Sequence, residues 1–477
     1  MKQLLYLSLA QQICKQIHSG VFTAGQRLPS VRVLAQQMNM SISTVLRAYQ
    51  LVEDKGLIEA RHKSGYYVSS DLITLQMQLE EQKPISPEWV TGSTLIVDLM
   101  ANATKENFLQ FSTAQPAEDI AANKEIKQNM LRILRDNHLI LSINSELIGS
   151  LKLRQQLAYR LTRLGILASI ENILITTGCQ SAMMLCLKTF TRPGDVVAIA
   201  TPAYYRILQL MEVLQLKVVE IPTHSFSGID IPLLQKTLSE WSVKAVIVSP
   251  TVGNPLGESM SKESKQQLLT LIEEKNIPLI EDDAFADLSF EQPRPEPVKA
   301  LDKKGMVWYC GTVSKTISPQ LKVGWMVMGK HADRVIYQHS LMGITPPYLN
   351  QLTVAEYLSQ DKYQKHIQHA ILIYQQRYFQ AVSLVKKHFP KNIKVSSPTG
   401  GFVLWIELPK HINATEIYFK AKQQGILITP GELFSVQTSQ YKHCFRINFA
   451  QPWTEDRIKA MNWLGQYIER LDNQTIS

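Results

Sequence analysis

The chain has 477 residues, which is too long for one ordinary core and points to two or three domains; its 45% hydrophobic content is that of a globular protein. No segment approaches the eighteen apolar residues of a membrane span, and five cysteines without a CxxC pair exclude a disulfide framework and suggest reduced thiols in a cytoplasm. The net charge of +9 is unevenly spread: residues 1–70 hold 8 Lys/Arg against 3 Asp/Glu, so more than half of the excess lies in about one seventh of the chain and suggests a polyanionic partner there.

The opening MKQLLYLSLA has the composition of a short signal peptide, but Gln11 and Gln12 interrupt it. Tyr6, Leu9, Ala10, Ile13 and Ile17 then recur at helical spacing past any cleavage point, which predicts a first helix ending at Gly20. A second helix is predicted after LPS with Ser30 as N-cap, and a third from Ser41 to Gly56. LIEARHKSGYYV reads as two short strands turning at Lys63-Ser64-Gly65. Three helices and a two-stranded wing make a winged helix-turn-helix over residues 1–70. Residues 71–94 mix polar side chains and two prolines without a sustained period and are read as a linker.

A helix lying in the major groove presents short polar or basic side chains on its first turns, because those turns meet the base edges. Ser41, Ser43, Thr44 and Arg47 supply that face of the third helix, while Val45, Ala48, Tyr49 and Val52 supply the buried one. Arg32 is placed to hold a phosphate or reach a base. Arg61, His62 and Lys63, with Gly65 at the turn, are placed to grip the backbone or the minor groove of double-stranded DNA. The bland alternative is a solvated surface of a small helical domain that binds protein. Gly20-Val21-Phe22 through Gly25-Gln26-Arg27-Leu28-Pro29-Ser30-Val31-Arg32, the helix residues Ser41, Thr44, Val45 and Ala48, and Ser64-Gly65-Tyr66-Tyr67-Val68 together resemble the GntR family of winged-helix regulators. Ile42 departs from that pattern, since many members carry Arg there, so base preference does not transfer.

From residue 95 to 477 the chain alternates apolar strands with helical patterns: ENILITTG, DVVAIATP, KVVEIP, KAVIVSP, IPLIEDD, MVWYCGT and KVGWMVM. That alternation predicts an α/β domain with a mostly parallel sheet. The stretch from about 345 to 477 is helix-rich, then carries GGFVLWIEL and HCFRINFA, and predicts a small α+β subdomain.

SKTISPQLKVGW sets Lys315 behind a serine and ahead of Pro319 and Lys322. A lysine in such a run suits a Schiff base with an aldehyde cofactor such as pyridoxal phosphate, whose electron-sink chemistry needs a protonated ring nitrogen. Such a site requires a carboxylate at that nitrogen, donors around a phosphate and an aromatic face. Asp282 ends an apolar strand. Gly178, Cys179 and Gln180 follow a strand and open a helix, where amides suit a dianion. Thr312 and Ser314 add hydroxyls and Lys322 a charge; Tyr204 offers the ring face, Asn254 a donor for the ring hydroxyl, and Arg446 a fork for an effector carboxylate. Taken singly, each has an ordinary structural explanation. In the order Gly178, Tyr204, Asn254, Asp282, Lys315, Arg446, with GSLKLR, NPLG, EDDAF and PGELFS, they resemble the fold-type I aminotransferases from near Asp98 onward.

Three departures stand out. Phe285 occupies the place of an enzyme tyrosine that bonds the ring hydroxyl. Lys322 replaces a phosphate-binding arginine, a point charge for a fork. No tyrosine precedes Gly149 where a partner subunit usually supplies one. His366 and His369 lie three apart but lack further ligands, so no metal is expected and a solvated helix face is the reading; Cys179 is read as a small space-filler. A GntR-like winged helix joined to an aminotransferase-like domain resembles the MocR group of bacterial regulators. The resemblance implies a homodimer, pyridoxal phosphate on Lys315, an amino acid, amine or vitamin B6 effector, and promoter DNA as partner, with little or no turnover. The competing readings are a working aminotransferase with an attached DNA module and a large domain that merely dimerises the winged helices.

Overall fold

The computed structural model describes residues 6, 9–10, 12–14, 16–17, 21–22, 25–54, 57–61, 64–69, 86–136, 146–224, 228–343 and 345–474. Gly20, Gly56, His62, Lys63 and most of the segment 71–94, all singled out above, lie outside those residues.

In the N-terminal region the described residues between 6 and 17 are helical. The helix Val31–Gln37 begins where the Ser30 hydroxyl accepts the Val33 amide at 3.3 Å, the N-cap predicted from LPS. A turn with Asn39 in the left-handed region leads to the helix Ile42–Asp54, and Val45, Ala48, Tyr49 and Val52 are fully buried against Leu9, Ala10, Ile13, Ile17, Leu28 and Ile58. Tyr49 donates its hydroxyl to the Pro29 carbonyl at 2.6 Å, which ties the recognition helix to the LPS turn. Strands β1 (Ile58–Arg61) and β2 (Gly65–Val68) pair antiparallel as the wing. The structure adds a third run to that wing: the Gly25 amide donates to Val68, Leu28 to Tyr66, and Val68 to Gln26.

Beyond this region, β3 (Glu88–Trp89) lies in the segment that the sequence assigns to a linker and pairs with the edge of the large sheet. β4 (Leu109–Gln110) follows, then β5 (Ile173–Thr176), β6 (Val196–Thr201), β7 (Lys217–His224), the short β8 (Gly228–Ile229), β9 (Val243–Val248), β10 (Leu279–Asp282), β11 (Val307–Thr312) and β12 (Gly324–Val327). The sheet order is β3-β7-β6-β9-β10-β11-β12-β5. β7, β6, β9, β10 and β11 are parallel; β12 runs antiparallel to both β11 and β5. β5, β9 and β11, together with β12, are buried almost throughout, as expected for strands covered on both faces. Helices such as Cys179–Phe190 and Lys262–Lys275 supply the cover.

The long helix Asp361–His388 leads to a four-stranded antiparallel sheet of β13 (Lys394–Val395), β14 (Val403–Glu407), β17 (Cys444–Asn448) and β16 (Thr429–Pro430), in that order. Between β14 and β16, β15 (Ile426–Leu427) pairs parallel with β4, so the segment before the large sheet is stitched to the C-terminal subdomain. Lys422 and Tyr418 add to this seam by converging on the Asp98 carboxylate, Tyr418 at 2.7 Å. The site described next lies where the C-terminal ends of β9, β10 and β11 face this smaller unit.

Tyr49→Phe leaves the Pro29 carbonyl without its donor. We expect it to destabilise the N-terminal region by about 1–3 kcal/mol, read as a lower denaturant midpoint by hydrogen exchange of the helix amides at 42–54.

Candidate functional site

Lys315 sits on the turn after β11, half-buried, with its Nζ donating to the Ala114 carbonyl at 2.6 Å and 5.3 Å from the centre of the Phe285 ring. Burial lowers its pKa to about 8; the Arg446 guanidinium pushes in the same direction, while the Asp282 carboxylate opposes both. A lysine so placed is partly neutral near physiological pH and therefore nucleophilic.

The helix Cys179–Phe190 starts beside it. Gly178 has φ +147 and no side-chain cap, so the first amides of the helix are left for another acceptor. Gly324 of β12 packs directly on Gly178: a Cβ at 324 would fall 2.6 Å from the Gly178 backbone. The Thr312 hydroxyl donates to Val323 at 3.1 Å and lies 2.9 Å from the Ser314 hydroxyl, which places both hydroxyls beside the glycine loop. Lys322 is exposed in the left-handed region two residues before Gly324, and Gln180 is half-buried in the first turn of the helix.

Asp282 closes β10, and burial raises its pKa. Its Oδ1 accepts from the Cys179 thiol at 3.1 Å and the Ala284 amide at 3.1 Å, and the Ser249 hydroxyl lies 3.5 Å from Oδ2. Cys179 is thus a donor that orients Asp282 rather than the space-filler expected from sequence. Its bond to the Cys310 carbonyl, burial and the Asp282 charge push its pKa well up, so it stays a thiol.

Arg446 on β17 is fully buried. Nη1 donates to Asn254 Oδ1 at 2.9 Å, and Nη2 donates to the Ser112 carbonyl and to the Thr429 hydroxyl, while Nε has no hydrogen-bond partner among the described residues. Three of its five donors hold it in place, and the rest await an acceptor. Burial lowers its pKa. Asn254 accepts from Arg446 through its oxygen, which leaves its amide nitrogen directed elsewhere. Tyr204 stands against Tyr205 with ring centres 4.8 Å apart. Phe285 is buried against Phe402, with no hydroxyl to offer.

The structure brings Gly178, Cys179, Asp282, Thr312, Ser314, Lys315, Asn254, Tyr204, Phe285 and Arg446 to one end of the sheet. It also reveals Arg206, which the sequence did not point to: its charge lies next to Tyr204 and Tyr205 and adds to the positive field on Lys315. The only sequence sign was its place after TPAYY, where the helix Tyr205–Val213 begins. His369 is exposed, as a solvated helix face requires, but His366 is half-buried. Its Nε2 lies 2.7 Å from the Thr316 carbonyl, and burial lowers its pKa, so it braces the turn that carries Lys315. No cluster of three His, Cys, Asp or Glu among the described residues suits a metal ion, and no described helix is long and apolar enough to cross a membrane.

On the N-terminal region Arg32, Ser41, Ser43 and Arg47 are exposed and Thr44 half-buried. The Ser41 hydroxyl is engaged as the N-cap, accepting the Thr44 amide at 3.2 Å and lying 2.7 Å from the Thr44 hydroxyl. Arg47 stacks over Tyr6 at 4.5 Å. On the wing, Arg61 pairs with Glu59 and stacks over Tyr67 at 4.4 Å, and exposed Arg27 lies 3.6 Å from where a Cβ at Gly65 would be. Arg27 was not foreseen because its neighbour β2 comes from forty residues later.

Residues 106–462 match the model of the family Aminotransferase class I and II, and residues 5–68 that of Bacterial regulatory proteins, gntR family. The uncharacterized HTH-type transcriptional regulators YjiR and YdcR of Escherichia coli are 31% and 32% identical, over 98% and 97% of this chain and 99% of each relative. The chain belongs to the GntR/MocR type of regulators. The HTH-type transcriptional regulator NorG of Staphylococcus aureus is 25% identical over 93% of this chain and its own whole length. This regulator's larger part has the fold of the aminotransferases. Kynurenine aminotransferase from Pyrococcus horikoshii superposes with a TM-score of 0.74, at 25% identity over 80% of this chain and 95% of that one. A multiple substrate aminotransferase from Thermococcus profundus shows the same fold at a TM-score of 0.74.

Reductive alkylation of Lys315 in the cofactor-free regulator by a small aldehyde and borohydride should rise through a midpoint near pH 8, because the neutral amine is the attacking form. Asp282→Asn removes the carboxylate that opposes the shift, so the midpoint moves lower; peptide mass mapping reads both.

Proposed function

We propose that this protein is a ligand-responsive transcription regulator that holds pyridoxal 5'-phosphate on Lys315, senses an amino acid or amine there, and binds promoter DNA through its winged helix. The observation that carries the reading is the placing of Lys315, on the turn after β11, beside an uncapped helix start, the half-buried Asp282 carboxylate and the fully buried Arg446 guanidinium. The donor set fits the group: Gly178, Gln180, Thr312, Ser314 and Lys322 would hold the phosphate, Asp282 would keep the ring nitrogen protonated, and Tyr204 would face the ring. When bound, the cofactor supplies an electrophilic carbon for amines and a sink for electrons.

This chain's own residues do the rest. Cys179 and Ser249 orient Asp282 by donating toward it. Arg446, with Nε unpaired, receives an effector carboxylate, and Ser112, Thr429 and Asn254 hold the guanidinium rigid while it does so. Ser112 and Thr429 lie on the two segments joined by β4 and β15, so carboxylate binding at Arg446 acts on that seam. An effector shifts the arrangement only by the difference in its affinity for the two states.

Regulation is favoured over steady amino-group transfer because Phe285 and Lys322 alter positions that tune enzymes of this fold, whereas Arg32, Ser41, Ser43 and Arg47 of the winged helix stay exposed for DNA. The domain limits we propose are 1–70 for the winged helix, 71–94 for the connection and 95–477 for the sensor, with the small unit from about 345. A homodimer acting in the cytoplasm suits two half-sites on DNA.

The purified protein should be yellow and lose its visible absorbance on borohydride reduction, whereas Lys315→Ala should be colourless, still retard its own promoter fragment, and no longer change that retardation when amines are added. Full effector response in colourless Lys315→Ala overturns the sensor reading. Amino transfer to a keto acid at about 1 to 1000 per second would favour the enzyme instead. Arg32→Ala should weaken binding similarly on all DNA sequences and lower the salt slope by about 0.9, measured by titration at several salt concentrations.

A further inference from the structure

A small cavity opens beside the proposed effector position. Its volume is about 30 Å³, and Tyr204, Asn254, Ser249, Thr223, Met260 and Glu258 contribute to its walls. That is room for a group of one or two non-hydrogen atoms with polar partners on several sides. Asn254 is shared, because its oxygen holds Arg446 while the residue also lines the cavity.

Glu258 is the unusual member. Its Oε2 is buried without a hydrogen-bond partner among the described residues. Burial drives its pKa up to about 7, with its own backbone amide acting the other way. Glu258 as a whole is half-buried, but a carboxylate oxygen closed off from water without a donor or a cation is costly, and such groups concentrate at binding sites. The chain also makes a seat for it: a Cβ at Gly253 would fall 2.6 Å from Glu258 Oε1 and 3.1 Å from Cδ, so a glycine is what lets the carboxyl group lie there. Nothing in the mechanism above uses Glu258.

We infer that this cavity receives a second, unreacting ammonium group of the effector, with Glu258 as its counterion, so that the effector class is a short diaminocarboxylate. The inference rests on the sensor reading above, which places the effector's carboxylate on Arg446. The carboxylate seat and the ammonium seat share Asn254, so one short carbon chain joins them.

The test uses the full-length, cofactor-loaded protein, titrated with L-ornithine and with L-norleucine, which carries a methyl group in place of the terminal ammonium. Half-saturation of the visible spectral change should occur at a concentration about tenfold or more lower for ornithine. Glu258→Gln should bring the two amines within about twofold and leave norleucine's midpoint unchanged. Gly253→Ala, which displaces the carboxyl group by contact without altering it, should do the same. Equal midpoints in the wild type, or a preserved ornithine preference in both variants, overturns the inference while a spectral response to both amines leaves the sensor reading standing. A protein that takes up no colour sinks the sensor reading instead. In that case calorimetric titration of the cofactor-free chain with 1,4-diaminobutane decides the cavity's role: binding lost in Glu258→Gln supports it, and equal or absent binding in both overturns it.

Discussion

The site depends on an unbalanced charge held away from water. The fully buried Arg446 guanidinium acts on half-buried Lys315, Arg206 adds to the same field, and the Asp282 carboxylate opposes both. Like charges in a poorly solvated space lower the affinity of each for its proton and raise the affinity of the whole for an anion. The uncapped start of the helix Cys179–Phe190 adds a further pull of the same sign.

The scaffold fixes each of these charged groups through neutral partners. Arg446 is held by a carbonyl, a hydroxyl and an amide oxygen rather than by a carboxylate, so its charge stays available. Asp282 is held by a thiol, an amide and a nearby hydroxyl, so it stays available too. A separate network of balanced charge lies just below: Asp283 with Arg294 and Tyr309, and Asp287 with Arg160, Arg294 and Tyr363, with Arg294 Nε alone among its guanidinium nitrogens lacking a partner among the described residues. There the charges cancel, and Asp287 is held down to about pH 2 against burial by its two arginines. The contrast between a cancelled network and an uncancelled one, a few residues apart on β10 and the turn after it, separates structural ionic groups from functional ones.

Coupling between the sensor and the rest of the chain has a physical basis in the seam. β4 and β15 join the segment after residue 94 to the smaller unit, and Asp98 is clamped there by Lys422 and Tyr418. Ser112, two residues beyond β4, gives its carbonyl to Arg446. Arg446 is thus tied directly to the segment that carries the β4–β15 pair.

Much of this was legible in the linear chain, because local rules set it. Apolar runs bounded by turns gave the strands, Ser30 gave a helix cap, and the ordered set from Gly178 to Arg446 gave the constellation. What stayed hidden depends on partners distant along the chain. Cys179 reads as a small apolar residue until β10 brings Asp282 to its sulfur; His366 reads as solvated until the long helix lays it on Thr316. Arg27 joins the wing only through β2, and Glu258 becomes conspicuous only when folding closes a cavity around it and leaves an oxygen without a donor. Local sequence determined which chemical groups the protein carries and in what order, since propensity and periodicity act over a few residues. Tertiary structure alone decided which of those groups lose water and which find counter-charges, since desolvation is a property of the packed whole.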